Sequence, residues 1–318
     1  MSEHDLNHPP SADAASAPGG RNRRPGLLGL IYALLGTLAV STSYVTAKRG
    51  LEGFNAATFS LVWTGAAAGY ALLLVLITGP ARALAAPAAC RSRIGWIGLA
   101  TGASMLLSWA GLDRLDPTYA AMLWRFSPGI TLLLGFVVHG ERLSRGAGPL
   151  AALMLLGGVI STLGQGRVAL TGVVLTLLAC LAVSAQFILA KSVLARMAPL
   201  ALVFYRNGLG VAPIALWGIA AGQLNFDVAP RYWVVTLAGA LLAPCASFIL
   251  YFKALRLWGV APTSVVQTIE PLFVLPMAWW WLGRILAGKE LGGGALILGG
   301  AIGLVILHAR PARTGRRP

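Results

Sequence analysis

The chain has 318 residues, 57% of them apolar and 11% charged, with a formal net charge of +15. A soluble domain covers its surface with about 25% charged residues, so a water-soluble globule is excluded, and the apolar excess equally excludes a disordered chain. Cys90, Cys180 and Cys245 are odd in number and scattered, which leaves neither a disulfide framework nor a zinc pattern.

Residues 1–26, "MSEHDLNHPPSADAASAPGGRNRRPG", carry no apolar periodicity and read as a disordered tail. From residue 27 onward, apolar runs of the length that spans a bilayer, about 20 residues, recur ten times. They cover 27–47, 56–78, 94–112, 117–138, 147–165, 169–190, 199–221, 232–252, 260–282 and 290–308. The runs are continuous and lack the ten-residue alternation of a β-barrel. The expectation is therefore an all-α integral membrane protein with ten transmembrane helices. The gaps, such as "TGPARALAAPAACRSR" and "HGERLSRGAGP", hold Gly, Pro and charge and have no room for a soluble domain. Residues 309–318 form a basic tail.

Charge placement predicts the orientation. With the N-terminus in the cytoplasm, sixteen Lys and Arg fall on inside segments and seven outside, which predicts both termini inside. Terse loops and richness in Ala, Gly and Arg fit a bacterial inner membrane. The basic residues are dispersed over loops, so the positive charge reads as topology and contact with anionic lipid, and nucleic acid is not a partner.

The chain repeats itself. "LAVSTSYVTAK" at 38–48 aligns with "LAVSAQFILAK" at 181–191, six identities in eleven at an offset of 143 residues. The same offset sets Ser127 on Glu270, Pro128 on Pro271, Gly140 on Gly283, Gly65 on Gly208 and Gly157 on Gly300. Two copies of five helices result, over 27–165 and 169–308. Five is odd, so the second copy enters from the opposite face. Inverted repeats of this kind are a transporter architecture, with the substrate near the midplane between the halves.

"IEPLFVLPMAWWWLGRIL" and "HGERLS", the aromatic-then-Lys end of the first helix of each copy, and "FYRNGLG" resemble the EamA type of the drug/metabolite transporter superfamily. The resemblance covers residues 27–308 and implies a ten-helix secondary transporter that uses neither ATP nor a bound redox cofactor. It names no substrate. The chain departs from the pattern where the first copy has Ser127 opposite Glu270, and where the second has Arg284 opposite Glu141.

Arg125, Arg206 and Glu270 fall well inside predicted spans, where each charge costs about 2.5–3.5 kcal/mol unless paired or wetted. Glu270 sits near the midplane on a side chain too short to reach water, as a coupling carboxylate or as a neutral group at the Pro271 break. Arg125 offers a fork that grips a carboxylate or phosphate, or else pairs with Glu270. Arg125 and Ser127 are about 200° apart on an unbroken helix, so facing one cavity together requires a break at Pro128. Arg206 is nearer a helix end, where it either contacts the substrate or snorkels outward on its long stem.

Ser43, Tyr44, Trp63, Trp124, Gln186, Tyr205, Asn207 and Gln267 are candidate lining residues, Gln267 sharing a helix face with Glu270. Lys48 and Lys191 are interfacial anchors or gates, and Trp279, Trp280 and Trp281 an aromatic belt. The Gly runs in the fifth and tenth helices serve close packing, within the chain or at a homodimer seam. No nucleophile elbow with a helical His is present, and nothing marks a channel filter. The first functional reading is efflux or exchange of a small polar metabolite, an amino acid or organic anion. Proton-coupled export of lipophilic cations through Glu270 is the second, and a non-transporting membrane scaffold or sensor the third.

Overall fold

A computed structural model describes residues 23–78, 84–127, 129–130, 134, 146–162, 167–194, 196–258, 263, 266–283 and 288–309. Every regular element among the described residues is helical, as expected where no water is present to satisfy backbone groups. The elements are α1 (Arg23–Gly50), α2 (Ala56–Thr78), α3 (Arg91–Arg114), α4 (Pro117–Leu123), α5 (Ala147–Thr162), α6 (Arg167–Leu194) and α7 (Pro199–Ala220). There follow α8 (Pro230–Ala240), a π-helical turn (Leu241–Ser247), α9 (Phe248–Trp258), α10 (Glu270–Leu282) and α11 (Gly288–Ala309). The helix α1 begins four residues ahead of the expected entry at 27, and its early turn holds Pro25, a residue tolerated there because the first N–H groups have no intrahelical acceptor.

Local sequence explains the boundaries. Asn55 caps α2 by accepting from Thr58 N at 2.8 Å, and Asp116 caps α4 by accepting from Thr118 N at 2.8 Å. Pro117, Pro199 and Pro230 stand in the first turns of α4, α7 and α8, where their fixed φ is already helical. Within the eighth expected span, Pro244 lacks the N–H that an α-turn needs, and the backbone takes the π-helical turn there.

Six stretches are long and apolar enough to cross a bilayer by length and composition, and two shorter apolar helices lie at Gly148–Ile160 and Leu291–Leu304. Of the expected spans 117–138 and 260–282, only α4, α10 and short flanking pieces are described. Within a largely apolar interior many polar side chains are buried, while large apolar ones lie on the outside. Thr37, Ser41, Ser104, Thr176, Ser184, Gln186 and Asn207 are buried, while Ile77, Leu216, Trp217, Ile219 and Trp280 face outward. That is the distribution expected when the solvent is hydrocarbon and polar groups must find partners inside.

The duplication is visible in the contacts. A side chain added at Gly157 of α5 would meet Gly293 O of α11 at 2.5 Å, and one added at Gly300 would meet Leu150 O at 2.8 Å. Both partners are related by the 143-residue offset. Pairing 157 with 293 and 300 with 150 also means that α5 and α11 run antiparallel. The same holds for α2 and α7, because Asn55 Nδ2 donates to Gln223 O at 2.5 Å while Gly65 lies nearest Val211. Equivalent helices of the two copies therefore point in opposite directions. Around these axes α3 packs against α6 and α7, and α1 packs against α8, the π turn and α9.

Candidate functional site

Two short helices meet inside the bundle, and both are broken where they meet. Past the end of α4, Arg125 N bonds Met122 O and Ser127 N bonds Trp124 O, each at 3.0 Å, so the chain tightens into three-residue turns. On the other side Ile269 N bonds Val266 O at 3.2 Å and α10 begins afresh at Glu270, with Pro271 next in its first turn. A carboxylate at a helix N-terminus is favoured by the aligned peptide dipoles. The helices α4 and α10 pack on each other and both pack on α1.

These breaks bring Arg125 and Glu270 together. Arg125 Nη2 donates to Glu270 Oε2 at 3.0 Å, with 9% and 5% of the two side chains exposed. Arg125 Nη1 donates to the backbone oxygen of Gln267. One donor and one acceptor of the pair, Arg125 Nε and Glu270 Oε1, are buried without a partner. Tyr44 of α1 is buried near both charges. Arg125 turns to α10 whereas Ser127 turns to α6, its hydroxyl 3.2 Å from Ser184 Oγ, so the two do not share one face.

A second buried cation lies elsewhere. Arg206 of α7 is fully buried, its guanidinium carbon 3.6 Å from the ring centroid of Phe248. It is stacked on Phe248 and fully enclosed, so it does not snorkel as its stem length allows. Its neighbour Asn207 donates to Val203 O at 2.9 Å and to Pro244 O at 3.5 Å.

Comparison with known proteins gives the family. The EamA-like transporter family matches twice, over residues 27–163 and 170–306. The chain belongs to the EamA-like transporter family. A probable terminal-alkyne amino-acid exporter of Streptantibioticus cattleyicolor is 27% identical over 301 residues, covering 90% of this chain and 95% of that protein. An uncharacterized transporter of Archaeoglobus fulgidus is 24% identical over 194 residues, 61% of this chain and 68% of that one. A solved crystal structure superposes with a TM-score of 0.63 at 16% identity, over 91% of this chain and 99% of the other, a likeness of fold alone. With the family match and the apolar helices together, the protein is a multi-pass membrane transporter.

In this EamA chain the remaining candidates separate by geometry. Gln267 touches the centre through its carbonyl. Gln186 is buried with Oε1 unpartnered, whereas Ser43 is satisfied by its own helix through Val40 O at 2.6 Å. Trp124 is half-buried at the α4 break against the apolar core. Trp63 is withdrawn into a cluster with Phe59 and Trp109, at 5.1 Å from each. Tyr205 donates to Leu84 O at 2.7 Å beside a groove of about 350 Å³ that includes neither charge of the pair. Lys48 Nζ caps the end of α3 on the carbonyls of Leu112, Asp113 and Leu115 at 2.7–2.9 Å. Pro128 and the side chain of Lys191 lie outside the described residues, and Pro271 is buried. The Gly contacts between α5 and α11 are within the chain.

Sequence reasoning passed over Ser41 and Ser184. Ser184 Oγ donates to Ser127 O at 3.1 Å and Ser41 Oγ reaches Glu270 O at 3.4 Å, the same contact in both copies. The signal was present in the repeated "LAVS", whose last letter is this serine in each copy.

Proposed function

We propose that this chain is a secondary-active transporter that exports or exchanges a small polar metabolite of the amino-acid class by alternating access. The observation that carries this reading is the Arg125–Glu270 pair, a buried cation and anion of which each keeps one unpartnered polar atom. A free amino acid presents the complementary pair. Its carboxylate matches the guanidinium fork, and its ammonium matches the Glu270 carboxylate. The centre is then electrically neutral with substrate and without it, which avoids the cost of an uncompensated charge inside the membrane. Tyr44 and the Gln267 carbonyl flank the exchange. The amino-acid exporter among the relatives supports the class.

Ten spans in two inverted copies would let one half rock against the other around this centre, with both termini in the cytoplasm of a cell bounded by an inner membrane. Export of lipophilic cations through an unshielded Glu270 is the weaker reading, because Arg125 already holds that carboxylate. Counterflow of labelled amino acids into proteoliposomes tests the proposal. Wild-type protein is expected to exchange at least one of them, and Arg125→Ala or Glu270→Gln to slow that exchange about tenfold or more, a loss of about 1.4 kcal/mol. Undiminished exchange in both variants rejects the centre. No exchange and no ligand-dependent stabilisation in wild-type protein would favour a scaffold or sensor.

A further inference from the structure

Arg206 takes no part in the central ion pair. Its side chain is fully buried, and Nε, Nη1 and Nη2 all lack an acceptor. The Phe248 ring at 3.6 Å covers one face of the guanidinium. A ring face stabilises the charge but accepts none of its in-plane N–H groups. An unpaired guanidinium is among the most costly groups to hold away from water, so the protein maintains a donor array that no group among the described residues uses.

The surroundings are specific. Phe248 follows directly on the π-helical turn Leu241–Ser247. Asn207 rests on Pro244 O at 3.5 Å, with its own Oδ1 buried and unpartnered. Positions 244 and 248 are one turn apart, so Arg206 and Asn207 lie against the same stretch of helix. Phe248 in turn stacks on Phe187 of α6, with centroids 6.4 Å apart and planes at 23°. By the 143-residue offset, Arg206 corresponds to Trp63 and Phe248 to Met105. The first copy keeps the fold with no charge at this position, which argues against a scaffold role for Arg206.

We propose that Arg206, seated on Phe248 against the π turn, is a second oxyanion site, one that takes the carboxylate of the transported metabolite at another stage of the cycle. This rests on the amino-acid-class reading of the Arg125–Glu270 centre. The two sites differ in what they accept. A carboxylate without an amine would strand Glu270 if it took Arg125, whereas Arg206 has no acid to displace among the described residues. The π turn holds a residue more than an α-turn requires, and Phe248, which covers the fork, follows it directly.

The test is thermal unfolding of the full-length protein in phosphatidylcholine nanodiscs, titrated with benzoate, with an L-amino-acid panel and with inorganic phosphate. Benzoate is expected to stabilise both wild-type protein and Arg125→Gln, and its apparent Kd is expected to weaken at least tenfold in Arg206→Gln. An unchanged benzoate response in Arg206→Gln overturns the site, as does no response in wild-type protein. Stabilisation by phosphate without benzoate overturns the carboxylate assignment and points to a lipid or free phosphate. Should Arg206→Gln fail to fold, Arg206→Lys decides, since it keeps the charge and loses the fork; an unchanged Kd there overturns the site. The amino-acid-class reading fails on a separate result, when no amino acid stabilises wild-type protein or exchanges across proteoliposomes.

Discussion

The two copies of the repeat are alike where backbone meets backbone and unlike where side chains carry charge. Ser184 reaches Ser127 O and Ser41 reaches Glu270 O through equivalent atoms, and Gly157 and Gly300 press against equivalent carbonyls. Yet the residue whose carbonyl is used is serine in one copy and glutamate in the other. At the counterpart of Arg206 the first copy has Trp63, packed on Phe59 and Trp109. A close backbone contact tolerates no larger side chain, so it persists through duplication. A position facing an internal space can change chemistry without moving a helix. The fold thus lies in the shared residues and the candidate site in the diverged ones.

The strongest way to break this comparison is to remove one half of the diverged pair. Arg125→Leu or Glu270→Leu leaves a buried charge alone and is expected to lower stability by about 3–5 kcal/mol. The double variant Arg125→Leu, Glu270→Leu should recover much of that loss, because replacing a buried pair with apolar groups is often neutral. Unfolding of the purified protein measures all four states of the cycle. A double variant as unstable as the sum of the singles would mean that the two residues do not depend on each other.

The shared residues come next. Leucine at Gly157 or at Gly300 must push α5 and α11 apart, and each is expected to cost about 1–3 kcal/mol. Gly292→Ala is the control, since nothing lies within 4 Å of the added carbon. Comparable losses at 157 and 300 would support an equal scaffold in the two copies, and a loss confined to one would break the equivalence. Lys48→Met, which uncaps the C-terminal carbonyls of α3, is expected to cost about 1 kcal/mol.

Much of this was legible in the sequence, and the reasons differ by residue. The hydrocarbon solvent imposes long apolar runs, so the helices and the membrane location could be read directly. The pair of Arg125 and Glu270 was foreseeable as one of two uses for those charges, because few other intramembrane groups could answer them. The partner of Arg206 was not, since stem length alone allowed it to snorkel and only the packing of α7 on α9 encloses it. Trp63 is polar enough to line a cavity, but its ring found two aromatic neighbours. For Arg125 and Ser127 to face one cavity the helix had to break at Pro128, which lies outside the described residues. Just before it the chain tightens, and those turns send the two side chains to different helices.

The finest test asks how equal the equivalent serines are. Ser184 gives its hydroxyl to the neighbouring element, to Ser127 O at 3.1 Å with Ser127 Oγ at 3.2 Å. Ser41 shares its proton, with Thr37 O of its own helix at 2.7 Å and Glu270 O at 3.4 Å. A hydroxyl satisfied within its own helix contributes little to holding another helix in place. Ser184→Ala is therefore expected to lower stability by about 1 kcal/mol and Ser41→Ala by about 0.5 kcal/mol or less. The order matters more than the size. A greater loss at Ser41 would mean that the α10 break leans on α1 through this contact, and that the charged copy has come to rely on a bond the uncharged copy only inherited.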